Sequence, residues 1–169
     1  MRSRFLPEGR LLHTPENEAA CASRDGLRRA MEEETVLEGV AQLCDGAHNL
    51  LVSVGPFTGF LPREEAALGI AEGTTREIAI LSRVGKPVCF QITALEESEG
   101  VLRPRLSRRR AQQAALDAML AGLHPGCILP AVVTHLESFG AFVDIGCGVP
   151  SLIGIENISV SRIPHPDQR

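Results

Sequence analysis

The chain contains no Trp and no Tyr, so its only large carbon-ring side chains are six Phe. A core built on aromatic packing is excluded, and two Phe within the stretch SFGAFVDIG, residues 138 to 146, stand out against that scarcity. Long apolar runs are also missing. None approaches the roughly 20 residues of a membrane helix, and the N-terminal MRSRFLPEGR lacks the apolar segment of a secretory signal. No membrane partner is expected, and the cytoplasm is the expected location.

Cysteines number five, an odd count at wide spacings without a C-x-x-C pair. That pattern excludes a disulfide framework and a zinc knuckle, and the set reads as free, mostly buried thiols. Cys44 and His48 have no further ligands at suitable spacing, so no metal is expected. Catalytic constellations are absent as well. RVGKP resembles the end of a phosphate loop, but Ile80 stands where the first Gly is required and Pro87 where Ser or Thr would hold magnesium. Glu64, Glu65, Glu96 and Glu97 read as solvated charge. No enzyme activity and no cofactor are expected.

What is present is a run of short β-branched segments between turn residues. TVLEGVAQL, LLVSVG and TGFLPREE read as strands, as do KPVCFQITALEE and VLRPRLS. Pro104 cannot donate to a ladder, which marks the last of these as an edge. Between the third and fourth, GTTREIAILSRVG reads as a short helix capped by Thr74 or Thr75. Ahead of the strands, residues 1 to 15 read as an irregular arm, and 16 to 34 as a helical extension with Ala20, Leu27, Ala30 and Met31 at helical spacing. SRRRAQQAALDAMLAGL, capped by Ser107, reads as a linker helix.

A second β series follows, CILPAVVTHLE, GAFVDIG and PSLIGIEN, and it repeats the first. Residues 36 to 65 align with 128 to 157 after one adjustment in each loop, and Gly55 falls over Gly146. Such a repeat means two copies of one supersecondary unit. Five strands with a helical insert after the third is the order of an OB-type barrel. The chain is therefore expected to be mainly β: tandem five-stranded barrels joined by a helix, the second incomplete, with an N-terminal helical extension. The expected divisions are 1–34, 35–107, 108–124 and 125–169. Because the second copy stops after its third strand, the chain is expected to be a piece of a longer protein.

In GAFVDIG the alternation puts Ala141, Val143 and Ile145 on one face and Phe142 with Asp144 on the other. The small and branched residues look inward, leaving Phe142 to look out. Net charge is −4, yet RPRLSRRR, residues 103 to 110, carries five arginines and no acid. Such a patch suits nucleic acid, and equally an ordinary solvated face or pairing with Glu32 to Glu34.

PGCILPAVVTHLESFGAFVDIGCGVPSLIGIENISVSRI resembles the S1 RNA-binding domain, and the copy from 35 to 107 resembles a divergent S1 domain through GFLPREE and its Leu-Ser ending. The resemblance implies that Phe139 and Phe142 stack on unpaired bases. Asp144 and Arg162 join the implied RNA-binding set, with His48 in the place of Phe139 in the first copy. Arg105, Arg108, Arg109 and Arg110 are the candidate phosphate contacts. The pattern departs from the family at Gly154, where His is frequent, at Ser151, and in the first copy at Leu51 and Pro62. The implied function is non-catalytic binding of single-stranded RNA in translation, with the first copy meeting the ribosome or its proteins. The alternatives are an RNA-binding appendage of a processing enzyme and a protein-interaction module.

Overall fold

The computed structural model describes residues 5–168, and the first four residues of the expected arm lie outside them. Five strands, β1 (Leu37–Cys44), β2 (Leu50–Val54), β3 (Phe57–Leu61), β4 (Pro87–Ser98) and β5 (Val101–Ser107), close into a barrel in the order β1-β2-β3-β5-β4. That is the order expected of an OB-type barrel. Alternate residues point inward: Leu50, Val52 and Val54 of β2 are each 0% exposed, and Phe90 and Leu106 fill the centre from β4 and β5. Register shifts in β1 between Ala41 and Leu43, and in β4 between Ile92 and Ala94, bend the strands as closure requires.

β5 is not the edge that Pro104 suggests. It lies between β4 and β3, and closure on β3 is parallel and brief, through Phe60 and Arg105. A strand that donates nothing at residue 104 still closes the barrel, because its neighbour Leu106 anchors it from inside.

The expected single N-terminal helix is two, α1 (Pro15–Cys21) and α2 (Arg24–Glu32). Ser23 is extended between them, and its hydroxyl accepts from the Gly26 amide at 3.1 Å, so a cap interrupts the helical pattern. These helices do not stand apart from the barrel. Cys21, Leu27 and Ala30 join the same apolar cluster as Leu37, Leu61 and Phe90. In the insert, α3 (Ile78–Leu81) starts at Glu77, not at a threonine. Thr74 and Thr75 instead donate to the carbonyls of Gly69 (3.3 Å) and Leu68 (2.7 Å), locking the loop before it.

Helix α4 (Arg108–Gly122) begins where expected: Ser107 Oγ accepts from the Arg110 amide at 3.0 Å. Beyond it, β6 (Val132–Glu137), β7 (Gly140–Asp144) and β8 (Pro150–Gly154) form a three-stranded antiparallel sheet. It reproduces β1 to β3 in detail. Val133 faces Val143 and His135 faces Phe142 across a bulge, as Ala41 faces Val52 and Leu43 faces Leu51. Gly55 and Gly146 both take positive φ, +55° and +152°, in the turn that a side chain would obstruct. Pro62 and Gly154 enter the following 3-10 turns at φ −61°, ψ 151° and φ −60°, ψ 149°.

The second copy does not close. Ala41 and Leu61 are 0% exposed inside the barrel, whereas their counterparts Val133 and Ile153 are 57% and 39% exposed. The two units are joined by a second apolar cluster, in which Ala111, Ala115 and Met119 of α4 meet Phe5, Cys89, Cys147 and Val149. The N-terminal arm runs through this junction. Glu8 donates its amide to Asp144 at 2.8 Å, Leu6 accepts from the Cys147 amide at 2.9 Å, and Gly9 donates to Glu38 at 2.9 Å.

All five cysteines are free, and Cys21, Cys89 and Cys147 are buried. No group of three or more His, Cys, Asp or Glu among the described residues is placed to hold a metal ion. No helix among them is long and apolar enough to cross a membrane.

Candidate nucleic-acid interface

On β7 the alternation holds at its centre. Ala141 and Val143 are 5% and 3% exposed, while Phe142 is half-buried and turned to the opposite face. Across the sheet it lies between His135 of β6 and Leu152 of β8. The His135 ring stacks beside it, centroids 6.2 Å apart at 27°, and Phe139 meets it edge-on at 6.1 Å and 86°. Phe139, at the β6–β7 turn, is 51% exposed, and Leu152 is 48% exposed. The result is an open apolar and aromatic face with room for a flat ligand against Phe139. His135 and Leu152 were not singled out from the sequence. Their signal is cross-strand register, which places residues distant in the chain directly opposite one another.

Asp144 departs from the expected surface. It is 6% exposed, and its carboxylate accepts the amides of Glu8 (2.8 Å), Gly146 (2.8 Å) and Gly148 (3.0 Å). Burial pushes its pKa up. The strand ends here and the 145–149 loop folds over it beside the arm, so the residue ties the turn together and offers nothing to a ligand.

The arginine run is divided by the helix it enters. Arg108 is also withdrawn from the expected phosphate contacts: it is 6% exposed and forks onto Glu8, Nε at 2.9 Å and Nη2 at 2.6 Å, while Nη1 donates to the Ala66 carbonyl at 3.1 Å. Burial opposes the charge on Glu8, but the Arg108 cation outweighs it and holds the carboxyl below its ordinary range. Arg109 pairs with Glu65 at 3.0 Å. Arg105 lies over the Phe60 ring, 5.5 Å from its centroid, and 3.6 Å from Glu96. Arg110 and Arg162 are exposed and have no ion pair among the described residues. Arg162 lines a cleft that includes Ser138, the residue before Phe139. Glu32 pairs with Arg28, not with the run.

The corresponding face of the barrel is built differently. Leu51 stands where Phe142 does, between Leu43 and Phe60. Leu43 is 54% exposed. An aromatic ring is present here too, moved one strand over to Phe60, which sequence comparison of the two copies passed over. His48 Nδ1 lies against the Glu77 carboxyl, which also takes Arg63 at 2.5 Å. The bond from Arg63 lowers the Glu77 pKa. His48 is therefore held to its own loop and insert.

No family model matches the chain. Curated relatives do. It is 26% identical over 148 residues, 84% of its length, to small ribosomal subunit protein bS1 of Neisseria meningitidis serogroup B. This chain is similar to bS1 over most of its length. The bS1 of Mycobacterium tuberculosis is 28% identical over 166 residues, 95% of the chain, and that of Leuconostoc lactis 30% identical over 134 residues, 79% of the chain. The chain spans 24% to 32% of the length of these bS1 relatives. Among solved structures, GSP13 from Bacillus subtilis aligns with a TM-score of 0.34 at 19% identity, over 57% of this chain and 64% of that one.

Proposed function

We infer that the chain binds single-stranded RNA in translation, without catalysis, through the outer face of the three-stranded sheet. Phe142 and Phe139 are the stacking surface, flanked by His135 and Leu152. The observation that carries this reading is the exposed Phe139 beside an outward Phe142, with Val143 sealed beneath. A nucleobase offers a flat π surface, and stacking on an aromatic is worth about 1–3 kcal/mol per base with little sequence preference. Arg105, Arg109, Arg110 and Arg162 are assigned the phosphate contacts, and similarity to bS1 supports a place in translation. The reading treats 35–107 and 125–169 as two S1-type units joined by the helix at 108–124, with residues 1–34 as their N-terminal partner.

The test is fluorescence anisotropy with a short single-stranded RNA at low salt. Phe139→Ala with Phe142→Ala is expected to weaken binding by about 10-fold or more, from the stacking energy of one to two bases. Unchanged affinity sinks the stacking role.

For the barrel, a different observation favours a second task. Its exposed Leu43 and half-buried Leu51 lie on the outer face, at the positions of His135 and Phe142 in the other unit. Beside the Phe60 ring these two leucines leave a contiguous apolar surface, which suits a protein partner. We assign it to docking on the ribosome or its proteins. Amide shifts on RNA addition larger at 51–63 than around Phe142 would reverse this division.

A further inference from the structure

Two residues before Phe142 on β7, and on the same face of the sheet, stands Gly140. The register sets it between Glu137 of β6 and Gly154 of β8, as Phe142 is set between His135 and Leu152. Neither glycine has room for a side chain. A Cβ on Gly140 would strike the Ile153 carbonyl, and one on Gly154 would strike the Glu156 carboxylate, 2.7 Å from Cδ. Beside the aromatic row the face is therefore bare backbone, a floor over which a flat ring held by Phe139 or Phe142 can extend.

The floor ends at that carboxylate. Glu156 lies in the 3-10 turn Ile155–Asn157 after β8, and the Ile155 amide donates to the Phe139 carbonyl at 2.9 Å, so the turn is tied to the loop that carries the exposed ring. Gly154 leaves empty the outward position that Glu156 fills. Among the described residues the Glu156 carboxylate receives one hydrogen bond, from Asn157 Nδ2 to Oε1 at 3.3 Å, and no ion pair. Glu137, on the other side of the floor, is committed: its Oε1 meets His135 Nε2 at 2.7 Å. Glu156 is the free acceptor at this edge of the stacking face.

Charge narrows what such an acceptor can meet. A carboxylate repels the phosphates of a bound strand, so it favours binding only where the ligand turns N–H groups toward it. Glu156 shares a cleft of about 780 Å³ with Ser138 and Arg162. Arg162 is exposed and has no ion pair among the described residues, so it is the cation there for a phosphate, and the carboxylate is left to the base.

The four bases differ along the Watson–Crick edge, which an unpaired base leaves open. Uracil has one N–H between two carbonyl oxygens that a carboxylate repels. Adenine and cytosine have an amino group next to a ring acceptor. Guanine has N1–H and N2–H side by side, two parallel donors for the two oxygens of one carboxylate.

We propose, on the basis of the stacking function assigned above, that Glu156 is a specificity-determining residue of this face and selects guanine. The ring lies over Gly140 and Gly154 against Phe139, with its Watson–Crick edge on the Glu156 oxygens. Stacking alone tolerates any base. The carboxylate supplies the discrimination.

Fluorescence anisotropy of the full chain at low salt, with labelled heptamers UUUUUUU and UUUGUUU, tests it. The guanine heptamer is expected to bind about 10-fold more tightly, as two hydrogen bonds to a charged acceptor require. Inosine in its place keeps N1–H and lacks the amino group, and should fall between the two. Glu156→Gln is a surface change of nearly the same shape, and it should abolish the preference for guanine while leaving UUUUUUU bound. Phe139→Ala with Phe142→Ala should weaken both heptamers. Equal affinity of wild type for UUUUUUU and UUUGUUU, equal affinity for UUUAUUU or UUUCUUU and UUUGUUU, or a preference undiminished in Glu156→Gln overturns the selection of guanine by Glu156, and the stacking reading stands if the double Phe variant still weakens UUUUUUU. Failure of every heptamer to bind overturns both.

Discussion

Leu51 and Phe142 occupy the same station in two copies of one sheet. Each sits after a bulge in the preceding strand and each faces a partner on both sides, Leu43 and Phe60 for Leu51, His135 and Leu152 for Phe142. The backbones agree to the register of single residues, so the difference between the faces lies in side chains alone.

That equivalence makes the barrel face convertible. Leu51→Phe adds a ring beside Phe60 without disturbing the core, since Leu50 and Val52 remain the inward residues. Affinity for single-stranded RNA is expected to rise by about 5-fold or more, the lower end of one stacked base. Anisotropy with the Phe139→Ala, Phe142→Ala background isolates the gain.

The fork between Glu8 and Arg108 joins residues 100 positions apart and is almost dry, with the side chains 3% and 7% exposed. Removing one partner leaves a buried charge unmatched. Glu8→Leu should cost about 3–5 kcal/mol of unfolding free energy in urea denaturation, whereas Glu8→Leu with Arg108→Met should cost much less. Equal losses in the single and double variants would show that the arm is held by packing at Phe5 and Pro7, with no contribution from charge.

Glu38 sets a pH dependence of definite sign. It is 1% exposed, and desolvation pushes its pKa to about 7 from 4.5, against the pull of the amides of Gly9, Leu11 and Leu12. A carboxyl raised on folding stabilises fully below its unfolded pKa and loses that stability as pH rises through the folded value. Wild-type stability attributable to Glu38 therefore falls between pH 4.5 and 7. Glu38→Gln keeps an acceptor for Gly9 without the charge, and should be more stable than wild type at pH 8 by on the order of 2 kcal/mol, with the advantage shrinking at pH 4. Denaturation of both proteins across that range measures it. Glu8, whose pKa is lowered, contributes with the opposite sign, and its negative charge is one of the causes that raise Glu38.

Arg110 and Arg162 are the exposed arginines of the candidate set without an ion pair among the described residues, and Arg109 is half shared with Glu65. Each phosphate neutralised on a single strand contributes about 0.7 to the slope of log affinity against log salt. Arg110→Gln with Arg162→Gln should lower that slope by about 1.4. Arg108→Gln should leave it unchanged, because that side chain is committed to Glu8. An unchanged slope in the first pair removes the phosphate role.

The alternating pattern of Ala141, Phe142 and Val143, the cap at Ser107, and the repeat that set Gly55 over Gly146 were legible in the sequence, since each depends on neighbours within one strand or turn. So was the OB order, because it follows from counting strands about an insert. Asp144 and Arg108 were misplaced for a common reason: their partner is Glu8, in a segment with no periodicity to announce where it lies. The same holds for the edge predicted at Pro104, which barrel closure removes, and for α1 and α2, whose apolar residues enter the barrel core. Local spacing determines which way a side chain faces on its own element. Whether that face meets water or another part of the chain is decided only when distant segments pack, because burial is a property of the whole fold.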